Sequence, residues 1–115
     1  MKVIIAGGRD FIPKRSHRMW LLEQLTSLKV THVICGMATG ADTFGKDIAD
    51  EFGLEVLKYP ADWKTFGKSA GYKRNLEMAQ VADACILFPG GVGTKHMEDI
   101  AKKYDLILIK YEDSI

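Results

Sequence analysis

Seven residues, Phe88-Pro89-Gly90-Gly91-Val92-Gly93-Thr94, carry the clearest chemical signal in this chain. A short apolar run, 84–88, leads into them, and residues at helical spacing, Met97, Ile100, Ala101 and Tyr104, lead out. The pattern reads as strand, glycine turn and helix N-terminus. Such a turn presents free backbone N–H groups and the positive end of a helix dipole, which suit a phosphate or another anion. Thr94 either caps the helix or bonds the guest through its hydroxyl. A tight turn with nothing bound has the same pattern.

Two more glycine loops follow apolar runs: Gly7-Gly8-Arg9-Asp10 and Gly36-Met37-Ala38-Thr39-Gly40-Ala41-Asp42. Arg9 is either a bidentate phosphate partner or a surface arginine. Asp42 opens a helix and reads as a capping carboxylate in preference to a ribose contact. Residues 62–75 bring Trp63, Phe66 and Tyr72 together with Lys64, Lys68, Lys73 and Arg74. Aromatics among cations can stack a base and hold its phosphate, or form a lid packed on the core with solvated lysines. Arg74 and Asn75 begin a helix that feeds the strand before the glycine turn.

Two familiar motifs fail. Gly40-x4-Gly45-Lys46 matches most of a P-loop, but Asp47 follows where Ser or Thr would hold magnesium, and Gly45 and Lys46 fall inside a helix. A dinucleotide G-x-G-x-x-G is absent. His17, His32 and His96 show no metal-ligand spacing. No metal and no cofactor is expected.

The elements that must hold these loops alternate along the chain. Apolar strands are expected at Lys2–Ala6, 31–35 and 84–88, a more exposed one at 54–59, and a fifth at 106–109. Helices lie between them. One carries Met19, Trp20, Leu22, Leu25 and Leu28, and one carries Phe44, Ile48, Ala49 and Phe52 and stops at Gly53. A third runs over about 72–82, after a long link at 60–71. The tail 112–115 is expected to be loose. Alternation of this kind predicts an α/β protein: a three-layer, Rossmann-like fold with a five-stranded, mainly parallel sheet and helices on both faces. Ligands of such sheets bind above the carboxyl ends of the strands. The three glycine loops fall there, so they predict one composite pocket.

The totals set limits. The 115 residues suffice for one domain, 1–115. A net charge of +1 favours neither nucleic acid nor a membrane surface. No apolar run reaches a membrane span and no signal-peptide pattern opens the chain, so a cytoplasmic protein is expected. Cys35 and Cys85 sit inside apolar runs and read as small buried hydrophobes.

Taken together, five blocks resemble the YspA-like branch of the SLOG superfamily. They are Gly7-Gly8-Arg9-Asp10-Phe11, Gly36-x-Ala38-x-Gly40-Ala41-Asp42, Pro60-Ala61-Asp62-Trp63, Gly67-Lys68-x-Ala70-Gly71-x-x-Arg74-Asn75-x-x-Met78 and Pro89-Gly90-Gly91-x-Gly93-Thr94. The resemblance spans nearly the whole chain. It implies a Rossmann-like fold and a nucleotide or nucleotide-derived ligand, ADP-ribose-like molecules included. It also places the chain near small bacterial and phage proteins, and near the DNA-processing protein DprA and the LOG phosphoribohydrolases. In the LOG enzymes an arginine and a glutamate serve cleavage of a nucleoside 5′-monophosphate. The arginine carries over onto Arg74, with Met78 four residues on. The glutamate position is Met97, and the carboxylate stands one residue later, at Glu98. One residue turns a helix by about 100°, which aims Glu98 away from a guest over Met97 and argues against catalysis.

The leading expectation is therefore a binding module, a sensor or sequestering protein. Gly90, Gly91, Gly93 and Thr94 would hold phosphate behind Pro89, and Arg9 and Arg74 would neutralise it. Gly36 and Gly40 would shape the floor, with Gly7, Gly8, Lys68, Asn75 and Asp42 also in the ligand-binding set and Trp63 or Phe66 over the base or ribose. The alternatives are a phosphoribohydrolase using Arg74 with Glu98 or an aspartate, and single-stranded DNA binding through 62–75. A homo-oligomer is expected.

Overall fold

A computed structural model describes residues 1–112. Residues 113–115, most of the expected loose tail, lie outside the described residues. Five strands form one parallel sheet in the order β3-β2-β1-β4-β5. They are β1 (Lys2–Ala6), β2 (His32–Cys35), β3 (Glu55–Lys58), β4 (Ala84–Leu87) and β5 (Ile107–Lys110). Every pairing is parallel, with Ile4 opposite Ile34 on one side and Cys85 on the other.

The central strands are the uninterrupted apolar runs. Val3, Ile4 and Ile5 in β1 and all four residues of β4 are buried, because helices cover both faces. Pleating sends alternate residues to opposite layers. Val3, Ile5, Val33 and Ile86 pack under α1 (Arg15–Ser27) and α2 (Ala41–Glu51). Ile4, Ile34, Cys85 and Leu87 pack under α4 (Ala70–Val81) and α5 (Val92–Lys103). The edge strands β3 and β5 are only half-buried.

Three expectations need correction. The buried stripe of α1 is His17, Leu21 and Leu25, an i, i+4 row, while Met19 is 56% exposed. His17 belongs to an aromatic group around Phe88, which is met edge-on or tilted by Phe11, Phe44, Trp20 and Tyr111. Phe52 is likewise exposed, at the end of α2 beneath the Arg18 guanidinium. The link 60–71 is not irregular. It holds a single helical turn, α3 (Trp63–Phe66), and a 3₁₀ turn, Gly67–Ser69, and α4 begins at Ala70. Asp62 starts α3 by accepting the Thr65 N–H at 3.0 Å, and four residues are too few for a periodic signal.

The P-loop likeness also dissolves. Gly45 lies within α2 against Ile5, where an added Cβ would come within 2.7 Å of the isoleucine. Lys46 pairs along the helix with Asp50 at 2.7 Å.

Candidate functional site

The sheet reverses its winding between β1 and β4, and the loops that follow these two strands part above it. The loop after β2 completes the rim. The three loops brace one another through backbone. The Gly8 N–H donates to the Pro89 carbonyl at 2.9 Å, and the Ala41 N–H donates to the Gly8 carbonyl at 3.2 Å. The Thr39 hydroxyl donates to the Arg9 carbonyl at 3.3 Å.

Gly40 allows the closest of these approaches. Its φ is +70°, and a Cβ there would lie 2.2 Å from the Gly8 carbonyl oxygen. A Cβ on Gly90 would meet the Thr94 hydroxyl oxygen at 2.1 Å and the Gly8 nitrogen at 2.6 Å. Gly40, Pro89 and Gly90, expected to touch the ligand, therefore lie behind the cavity and hold its walls together.

The cavity between the loops has a volume of about 350 Å³. Gly7, Gly8 and Arg9 line one side, and Gly91, Gly93 and Thr94 line the opposite side. Asp42, Trp63, Lys68, Arg74 and Asn75 complete the predicted set. Gly36 lies just outside, under Arg74. Seven lining residues stand outside the predicted ligand set: Ala6, Ala38, Gly71, Tyr72, Met78, Val92 and Met97. Apart from Tyr72, an aromatic of the 62–75 cluster, they are small or apolar and carry no chemical signal of their own.

The basic groups enter from separate elements. Arg9 stands over the Trp63 ring, 5.7 Å from its centroid. Arg74 is half-buried, and burial lowers its pKa against the opposing pull of Asp42. Its guanidinium donates to the Gly36 carbonyl and, at 3.0 Å, to the Asn75 amide oxygen. Asn75 is buried and spends its amide nitrogen on the Gly93 carbonyl at 3.4 Å and on His96 Nδ1 at 3.2 Å. It thus ties Arg74 to the first turn of α5, and its part is to position both.

Gly91 is the N-cap of that helix and Val92 its first residue, so Thr94 falls at its third residue and does not cap it. The first N–H groups of a helix have no partner within the helix. Here that first turn borders the cavity, with Gly91, Val92, Gly93 and Thr94 among its lining.

Among the described residues Asp42 is the one carboxylate in the lining. It is 6% exposed. Burial raises its pKa, while the Ala38 N–H, Arg74 and Arg9 act in the opposite direction. The Ala38 N–H donates to its Oδ2 at 3.2 Å. It sits inside α2 and does not cap the helix, whose N-cap is Gly40.

Glu98 is elsewhere. Met97 forms part of the cavity floor, and Glu98 turns away, pairing with Lys102 one turn on in α5 at 3.0 Å and with Lys110 of β5 at 3.2 Å. These lysines hold its carboxyl below the ordinary range. Glu98 thus ties α5 to the sheet edge and is not part of the cavity lining.

The aromatics of 62–75 do not pack on the core either. Trp63, Phe66 and Tyr72 are 50%, 45% and 45% exposed. Lys73 lies over the Phe66 ring at 4.9 Å. The two cysteines are free and buried, and burial pushes the Cys85 thiol up to about 12.

A parallel sheet with glycine loops gathered over its switch point, and a cationic cleft between them, defines a Rossmann-like α/β protein. The chain belongs to the YspA, cpYpsA-related SLOG family, whose model matches residues 1–66. It is also similar to the Gene 61 protein of Mycobacterium phage D29, at 39% identity over 128 aligned positions that take in 97% of each chain. No solved structure matches it. The family match includes the first two glycine loops. Arg74 and the turn at 88–94 lie beyond it, within the span shared with the phage protein.

Proposed function

We propose that this protein binds a nucleotide or a nucleotide derivative in the cleft between its glycine loops, as a sensor or sequestering module. The observation that carries the reading is the convergence of Arg9, Lys68, Arg74 and the N-terminal turn of α5 on one cavity that holds a single carboxylate among the described residues. Such a set attracts phosphate, and hydrogen bonds to Asn75 and Gly36 fix Arg74 beside the cavity. Trp63, half exposed at the rim, offers a face to a base or a sugar.

The test is mass spectrometry of whatever denaturation releases from freshly purified protein, with calorimetric titration of AMP. Arg74→Ala removes a charge-assisted contact to phosphate and weakens binding by about 2 kcal/mol, roughly thirtyfold in Kd. An Arg74→Ala protein that is folded and binds AMP as well as the parent refutes the assignment.

One observation keeps an enzyme as the second reading. Asp42 is buried in the cavity lining with a raised pKa, where Glu98 is not. Free base and ribose phosphate appearing on incubation with nucleoside monophosphates, and absent with Asp42→Asn, would move the assignment to a phosphoribohydrolase. Single-stranded DNA binding rests on the exposed stretch 62–75 alone, and a net charge of +1 gives it little support.

The same reading includes a reducing, cytoplasmic setting, which two free buried cysteines suit. Among the described residues no helix is long and apolar enough to cross a membrane. It also includes a homo-oligomer. Sedimentation velocity tests that state.

A further inference from the structure

His96, in the second turn of α5, does not line the cavity, yet it ends a chain of hydrogen bonds that starts there. Arg74 donates through Nε to the Asn75 Oδ1 at 3.0 Å. The Asn75 amide nitrogen faces the Gly93 carbonyl at 3.4 Å and His96 Nδ1 at 3.2 Å. The His96 ring also meets Tyr72, a lining residue, edge-on, with centroids 4.4 Å apart.

Donor and acceptor chemistry fixes the order of this chain. A guanidinium only donates, so the amide oxygen of Asn75 must face Arg74. The amide NH2 then faces Gly93 and His96, and Nδ1 of His96 must accept. The imidazole is therefore neutral, with its proton on Nε2. Protonation would set an N–H on Nδ1 against the Asn75 NH2, donor against donor. A flip of the amide gives no relief, since its NH2 would then meet the Arg74 donor and its oxygen the Gly93 carbonyl. Asn75 is buried, so a donor left unpaired there is costly.

The surroundings of the ring favour the neutral form. Burial lowers its pKa, and Asp99, three residues on in α5, opposes this. Asp99 is itself paired with Lys95 at 3.1 Å. From α4 the ring is met by Tyr72 and Asn75, with Arg74 reached through Asn75. Of the strands packed against α5, β4 turns Cys85 to the layer of α4 and α5, and β5 commits Lys110 to Glu98.

We propose that His96 is a positioning residue for the anion site: its neutral ring holds Arg74 in place through Asn75, and its protonation loosens the grip on a phosphate. Asn75 joins Arg74 to the first turn of α5, so releasing its amide disturbs both. A charged ring would also attract an anion, but from outside the lining, whereas Arg74 borders the cavity itself. The inference rests on the nucleotide reading and adds a proton-linked control of the same site.

Calorimetric titration of AMP between about pH 7.5 and about pH 5 tests it, on the full chain as parent, His96→Asn and His96→Phe. The asparagine oxygen stands near the place of Nδ1 and accepts without titrating, while phenylalanine keeps a ring and accepts nothing. The AMP phosphate and Asp42 titrate in all three proteins, so differences between the curves belong to position 96. At neutral pH His96→Phe binds AMP roughly fivefold more weakly than the parent, and His96→Asn restores what phenylalanine loses. In acid the parent loses roughly fivefold more affinity than His96→Asn and falls to the level of His96→Phe. Neither variant titrates at this position, so either one decides the matter if the other does not fold. Nitrogen NMR of the parent finds the His96 proton on Nε2 at neutral pH. Acid losses that are parallel in parent and variants, or a proton on Nδ1, overturn the role of His96 and leave the nucleotide reading standing. A parent that binds no AMP at neutral pH overturns both.

Discussion

Gly40→Ala and Gly53→Ala make a matched pair that isolates the cost of loop contact. Both glycines have positive φ, +70° and +71°. An alanine pays for that conformation in either place, by about 1–2 kcal/mol. A Cβ at Gly53 would find nothing within 4 Å, so its cost ends there. A Cβ at Gly40 would lie 2.2 Å from the Gly8 oxygen and 2.5 Å from the Arg9 oxygen, where ordinary contact begins at 3.4 Å. Both neighbours are backbone and cannot rotate aside, so the first loop must retreat by roughly 1 Å, at an overpacking cost of about 1–3 kcal/mol. The Gly8 carbonyl also accepts the N–H groups of Phe11 and Ala41, both at 3.2 Å, and these bonds would stretch. Gly40→Ala is thus expected to lose about 1–3 kcal/mol more than Gly53→Ala. At roughly 4–8 °C per kcal/mol for a domain of about this size, the gap is plain in thermal unfolding, and urea titration gives it as free energy. AMP affinity should fall in Gly40→Ala, since Gly7, Gly8 and Arg9 line the cavity, and should hold in Gly53→Ala. Equal destabilisation of the two variants would refute the bracing role given to Gly40.

Two carboxylates should respond to pH in opposite senses. Asp42 has a raised folded pKa, so the folded state holds its proton more tightly than the unfolded chain does. Its stabilising effect is present below the unfolded value, near 3.8, and is lost as pH rises through the folded value. Asp42→Asn should raise Tm by a few degrees at neutral pH, with the gain vanishing in acid; a Tm gain that is the same at both pH values would count against burial as the cause. Glu98 has a lowered folded pKa. Its contribution is present above about 4.5 and is lost as pH falls through the folded value. Glu98→Gln should lower Tm at neutral pH and less so in acid, with AMP binding unchanged; a loss of AMP affinity would contradict its placement away from the cavity.

Several features of the site follow from residues close together in the chain. The apolar runs at Val3–Ala6 and Ala84–Phe88 already mark strands covered on both faces, and the alternation of strands with helices marks a parallel sheet. Helical period alone separates Met97 from Glu98, and the two do face different ways. Placing three glycine loops at strand carboxyl ends brings most of the predicted residues to one cavity. Each of these inferences uses chain neighbours or a local period, which the sequence displays directly.

Contacts between distant segments needed the fold. The strand order, with β1 between β2 and β4, decides which loops meet. Only then do Gly40, Pro89 and Gly90 become braces, since their partners in the first loop are roughly 30 to 80 residues away along the chain. His17 becomes a core residue only where Phe11, Phe88 and Tyr111 surround it. Asn75, a plausible ligand contact in one dimension, has its amide occupied by Arg74, Gly93 and His96 in three. Amino-acid order by itself determined the strands, the helix faces and the loops that carry chemistry, because these depend on local geometry. Tertiary structure decided which of those residues face the cavity and which hold it open, because that depends on who is packed against whom.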